Sequence, residues 1–154
     1  MIREAGIKDA DPISGMISVL SEKFITCDFS DEGREQLLAS MTPTAITKYI
    51  QNGDRYHVAE NDDGIMGVVS IRKNSHLYHL FVAETHQRRG LAKALWEKAM
   101  TEALHRGNPG EFTVNSSQYA LPVYERLGFV AQSRPITKHG VTYTPMRREA
   151  AHHF

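Results

Sequence analysis

Cysteine is almost missing from this chain: Cys27 is the one example in 154 residues. An internal disulfide is therefore excluded, and a cysteine-rich zinc site with it. The neighbours Ile25, Thr26, Asp28 and Phe29 supply no activating base, so a small packed or half-packed thiol is expected. Long apolar runs are missing too. No segment approaches the ~20 apolar residues of a membrane span, and the N-terminus has no stretch of signal-peptide length. The expected compartment is the cytoplasm, with no membrane partner. A surplus of one charge is also lacking, because 18 basic side chains meet 18 acidic ones. Nucleic-acid binding draws on a basic surplus, so no nucleic-acid partner is expected. The phosphate strings Gly-x-x-x-x-Gly-Lys-Ser/Thr and Gly-x-Gly-x-x-Gly do not occur. The terminal His152 and His153 have no partner cluster nearby, and no metal is expected.

What remains is ordinary globular material. Hydrophobic residues make up 41% and charged residues 23%, values typical of one soluble domain. That domain is expected to span 1–148, with 149–154 as a frayed tail. Ile2 to Lys8 reads as a short first strand, and Asp9 or Asp11 as the cap of a helix with Pro12 in its first turn. Ile13, Met16, Ile17, Leu20 and Phe24 follow at helical spacing. Thr26 to Gly33 reads as a loop, and Thr42-Pro43 opens a second helix that ends at Asn52-Gly53.

Strand patterns come next. Arg55 to Glu60 and Ile65 to Arg72 flank the turn Asn61-Asp62-Asp63-Gly64 and read as a hairpin. Gly67, inside the second run, hints at a bulge or a close backbone approach. His76 to Ala83 is a third run. Gly90 to His105 carries a strong helical repeat, stopped by Arg106 to Gly110. Phe112 to Val114 is a short strand, Asn115-Ser116-Ser117 a turn, and Gln118 to Leu127 a helix closed by Gly128. Phe129 to Gln132 and Val141 to Met146 then pair around Lys138-His139-Gly140. The order describes one mixed α/β domain.

The chemistry concentrates between Leu80 and Leu95. A strand feeds a polar loop, and Gly90 opens a helix whose unpaired N–H groups and positive dipole end suit a phosphate. Arg88, Arg89 and Lys93 add cations at the end where they oppose the helix dipole, which suggests that an anion is expected there. Gly90 and Ala92 keep side chains small at the same place.

Leu80-Phe81-Val82 followed by Gln87-Arg88-Arg89-Gly90-Leu91-Ala92 resembles motif A of the GNAT superfamily, the Gcn5-related N-acetyltransferases. Farther on, Phe112-Thr113-Val114-Asn115 leading into Pro122-Val123-Tyr124 and Gly128-Phe129 is similar to that family's motif B. The resemblance runs over roughly 1–148. It implies an α+β fold with a mixed, mostly antiparallel sheet splayed at the motif-A strand and flanked by about four helices. It also implies acetyl-CoA as donor and an amine acceptor, joined by direct attack in a ternary complex; a homodimer is compatible with it.

Residue by residue, the resemblance implies that Gln87, Arg88, Arg89, Gly90, Leu91, Ala92 and Lys93 hold the donor diphosphate. Phe81 and Val82 would bond the pantetheine arm through main-chain groups. Asn115 would stand at the wall beside it, and Tyr124 would protonate the departing thiolate. Ala92 replaces the commoner glycine of the motif. Family members carry a glutamate or histidines on the motif-A strand, which implies His79 or His76 as the base. In a regular strand these two lie on opposite faces, so both face the acceptor only if a bulge intervenes. Phe24, Phe29, Tyr49, Tyr143 and His139 are candidate acceptor-wall residues. A non-catalytic acyl-CoA sensor or interaction module is the alternative reading.

Overall fold

The computed structural model describes residues 1–149; the expected tail lies outside them apart from Glu149, which ends a strand. In chain order come β1 (Ile2–Glu4), α1 (Ala10–Phe24), α2 (Asp31–Ala39), α3 (Pro43–Gln51), β2 (Arg55–Asn61), β3 (Gly64–Arg72) and β4 (His76–Val82). Then follow α4 (Leu91–His105), β5 (Glu111–Ser116), α5 (Leu121–Arg126), β6 (Val130–Ala131), β7 (Ile136–Lys138) and β8 (Val141–Glu149). The sheet order is β1-β2-β3-β4-β5-β8-β6, with β7 pairing with β8. All of these pairs are antiparallel except β4 with β5. The expected mixed, mostly antiparallel sheet with flanking helices is what forms.

Two cores lie on the two faces of this sheet, because successive strand residues point opposite ways. Val58 and Val68 pack with Ile13, Ile17 and Ile46 of α1 and α3. Their neighbours Ala59 and Val69 join Leu95, Trp96, Phe112, Tyr124 and Phe129 under α4 and α5. Gly67 fulfils both hints of the sequence. Ala59 faces Gly67 while Glu60 faces Ile65, so Met66 is an extra residue beside it. A Cβ on Gly67 would stand 2.8 Å from Leu95 Cδ1, so the missing side chain lets α4 sit close.

Several boundaries move for physical reasons. The expected first strand stops at Glu4, because Asp9 turns back to accept the Gly6 N–H at 2.9 Å and two bonds from Arg3. Asp9 precedes α1, but it makes no side-chain cap there. Helix α2 was hidden in and after the expected loop. Its sequence is mostly polar, and Ser30 caps it by accepting the Gly33 N–H at 3.1 Å. Gly33 matters for packing: a Cβ there would meet Gly140 O at 2.1 Å, so α2 and the β7–β8 turn touch backbone to backbone. The turn expected at Asn115-Ser116 instead extends β5, because β8 offers Pro145 and Thr144 as partners. Helix α5 is shorter than its pattern. Cys27 is exposed rather than packed.

Candidate active site

The parallel pairing of β4 with β5 lasts for two residue pairs, His76 with Thr113 and Leu77 with Val114. Beyond them β4 continues along β3 to Val82, and β5 continues along β8 to Ser116. The strands part, and a gap opens in the middle of the sheet. A bulge lies where the parting begins. Ser70 faces His79 while Ile71 faces Leu77, so Tyr78 is the extra residue.

The gap leaves one edge of β4 unpaired. Ala83 donates to Met66 O at 2.8 Å, and the His79 N–H reaches Ser70 Oγ at 3.1 Å, so these residues turn their main chain to β3. Antiparallel pairing alternates by two, which turns Phe81 to β3 as well and directs Leu80 and Val82 into the gap. The Phe81 main chain, expected beside the donor arm, thus faces β3, and the main-chain groups open to the gap are those of Leu80 and Val82.

At the far end of β4 the chain enters the basic loop. Gln87 Nε2 donates to Val82 O at 3.0 Å. Arg88 has φ 65° and Gly90 φ 77°, both left-handed. A Cβ on Gly90 would meet nothing within 4 Å, so its glycine answers to backbone conformation and the space above it is open. The first helical bond of α4 runs from Ala94 N to Gly90 O at 3.0 Å. The N–H groups of Leu91, Ala92 and Lys93 thus have no partner within the helix. Arg88, Arg89 and Lys93 are exposed, and none enters an ion pair among the described residues. Free amides, three uncompensated cations and open space fit a diphosphate.

The side chains that the resemblance implies for catalysis sit on β4 and α5, and Asn115 sits on β5. Tyr124 is buried with its ring 5.8 Å from that of Phe129, and its hydroxyl has no hydrogen-bond partner among the described residues. Burial pushes its pKa above the ordinary tyrosine value. Asn115 is the first β5 residue past the split, exposed on the face that carries Thr113. The two histidines share a face after all. His76 stands opposite Arg72 and His79 opposite Ser70, and Ser70 and Arg72 are two apart on β3. The Tyr78 bulge is the exception that a shared face requires of two strand residues three apart.

Their surroundings differ. His79 is 4% exposed, and its Nδ1 lies 3.0 Å from the Tyr56 hydroxyl. Burial, then the nearby Arg72 charge, lowers its pKa to about 3. His76 is half-buried with Nδ1 2.7 Å from Thr113 Oγ1, and burial and Arg72 lower its pKa too. Tyr78, missed from sequence, lies with its ring 3.6 Å from the Arg72 guanidinium and donates to the Tyr49 hydroxyl at 3.4 Å. Tyr49, expected at the acceptor wall, is thus tied into this cluster. Phe24 stacks on Tyr119 at 4.7 Å, Phe29 and Tyr143 are half-buried, and His139 is exposed in the β7–β8 turn. No group of acidic, cysteine and histidine side chains among the described residues is arranged to hold a metal.

The family model for the acetyltransferase (GNAT) domain matches residues 25–150. Among solved structures, the chain is similar to a GCN5-related N-acetyltransferase from Rhodopseudomonas palustris. That match has a TM-score of 0.79 and 20% identity over 97% of this chain and 94% of the other. It is also similar to the PaiA N-acetyltransferase from Thermoplasma acidophilum in complex with coenzyme A. Here the TM-score is 0.80, with 16% identity over 97% and 98% of the two chains. A GNAT-family acetyltransferase from Staphylococcus aureus Mu50 matches with a TM-score of 0.74 and 16% identity over 98% and 99%. No curated protein sequence matches the chain.

Proposed function

The chain belongs to the GNAT acetyltransferase family, and from that premise we propose that it transfers acetyl from acetyl-CoA to a primary amine by direct attack in a ternary complex. The observation that carries this reading is the split between β4 and β5, which ends at the basic N-terminus of α4. The gap offers the main-chain groups of Leu80 and Val82 as partners for an extended amide-bearing arm, in the manner of an added strand. The amides of Leu91 to Lys93, with Arg88 and Arg89, would hold its diphosphate. The solved PaiA structure contains coenzyme A, which supports the same donor here.

Acetyl transfer forms one C–N bond and breaks one C–S bond, and two proton movements accompany it. An ammonium must lose a proton before it attacks, and the departing thiolate must gain one. Tyr124 serves the second need. Its hydroxyl stays protonated at neutral pH and has no hydrogen-bond partner among the described residues. The first need falls to His76, directly or through water, because His79 is enclosed and bonded to Tyr56. Asn115 and Tyr78 border the place where the acceptor nitrogen would approach.

The test is an acceptor panel offered with acetyl-CoA and read by thiol release, with mass spectrometry of the product. Acceptor-dependent release with an acetamide product is expected. Tight acetyl-CoA binding with no acceptor-stimulated release across the panel would sink the enzymatic reading in favour of an acyl-CoA sensor. No helix among the described residues is long and apolar enough to cross a membrane.

A further inference from the structure

The donor gap is bridged by the protein's own side chains. Val82 directs its carbonyl into the gap, and Gln87 Nε2 occupies that carbonyl at 3.0 Å. A carboxamide N–H donating to a strand-edge carbonyl is the contact that an amide of a pantetheine arm would make. The same side chain carries the bridge across. Tyr119, on the segment after β5, points its hydroxyl to Gln87 Oε1 at 3.5 Å. Phe24, at the end of α1, stacks on the Tyr119 ring with centroids 4.7 Å apart and planes within 16°. Lys23 fastens the same helix end to the loop, its Nζ 2.7 Å from Glu84 Oε1. Three separate parts of the chain are thus linked, through Gln87, to the Val82 end of the β4 edge.

We propose that Gln87, Tyr119 and Phe24 form a strap that holds the gap shut until an amide of the donor displaces Gln87 from the Val82 carbonyl. The inference rests on the donor reading above. Its physical logic starts from the exposed edge. A split sheet leaves strand groups that pair with other chains or lose hydrogen bonds when covered. Gln87 satisfies the Val82 carbonyl without committing it, because a side-chain amide leaves by one torsional movement. The Phe24–Tyr119 stack then sets how often the strap opens. A stacked aromatic pair favours the closed arrangement by a factor of roughly two to ten. Opening also moves the end of α1, so donor entry and the shape of the acceptor wall at Phe24 are linked.

The test compares CoA association and dissociation on the immobilised full chain with those of Phe24→Ala and Tyr119→Ala. Tyr119 is 47% exposed, so its truncation spares the core, and thermal unfolding checks both variants. The association rate is expected to rise about fivefold in each, since the open fraction limits entry. In 15N-labelled protein, the Gln87 side-chain amide resonances are expected to shift when CoA is added, as the Val82 bond is lost. Wild-type association rates in both variants, or slower ones, would overturn the strap while leaving the donor site standing. Failure of the unmodified chain to bind CoA would overturn the donor reading and the strap together.

Discussion

Replacing Tyr124 by phenylalanine removes one oxygen and tests the proposed proton donor. The ring is buried against Phe129 and keeps every apolar contact after the change. The hydroxyl has no hydrogen-bond partner among the described residues, so no bond is broken and no partner is stranded. The stability change should therefore stay within about 0.5 kcal/mol, well below the cost of an unsatisfied buried group. Turnover is a different matter. A positioned general acid contributes roughly 10²–10⁴-fold, so kcat should fall by at least about 100-fold, or about 2.7 kcal/mol of barrier. The KM for acetyl-CoA should change by less than about twofold, because the hydroxyl acts on the leaving thiolate rather than on binding. The assay is steady-state thiol release at saturating acceptor, beside a thermal melt and a CoA titration. Burial holds the Tyr124 pKa above its usual value, so its ionisation should cause no loss of rate as pH approaches about 10. A variant with kcat within about threefold of wild type would remove Tyr124 from the mechanism. A variant that loses CoA affinity and turnover in parallel would make it a binding residue instead.

Gly90→Asp should weaken CoA binding by at least about tenfold, since it sets a negative charge where free amides and cations converge. Gly107→Ala is its control: φ is 96° there, at the other end of α4, and a Cβ meets nothing within 4 Å. Both variants should lose about 1 kcal/mol to left-handed strain, but the control should keep wild-type CoA affinity by calorimetry. His79 contributes to acid stability. Its pKa is about 3 in the folded chain and about 6.5 unfolded, so the unfolded state holds more protons between those values. Its contribution is full above about pH 6.5 and falls away toward pH 3, by up to about 1.4 kcal/mol per pH unit. His79→Asn should flatten the fall of Tm between about pH 6.5 and 4.5 without abolishing it, because His57 is lowered by burial in the same sense. An unchanged slope would show that His79 titrates normally.

Much of the fold is legible in the sequence because its signals are local. The stripe from Ile13 to Leu20, the capped start at Thr42-Pro43 and the left-handed stop at Gly128 each depend on a few adjacent residues. Helix α2 escaped because its polar run carries no clear apolar period; the Leu37 contact with the core and the close approach of Gly33 to Gly140 are tertiary features. The strand β7 escaped because its partner supplies the pattern.

By itself the sequence determined the basic loop from Gln87 to Lys93, the glycine that opens α4, and the second block through Tyr124 that marks the family. Those features are short strings whose chemistry travels with them. Only the tertiary structure decided which atoms of β4 face the gap, which face the histidines share, and which of them is enclosed. Each of these turns on the one extra residue at Tyr78 and its register against Ser70 and Ile71. Register is set by pairing between distant segments, and a slip of one residue reverses every side chain beyond it. The contacts of Tyr56 with His79 and of Phe24 with Tyr119 span 23 and 95 residues in sequence. Only packing brings such pairs together, so no local pattern announces them.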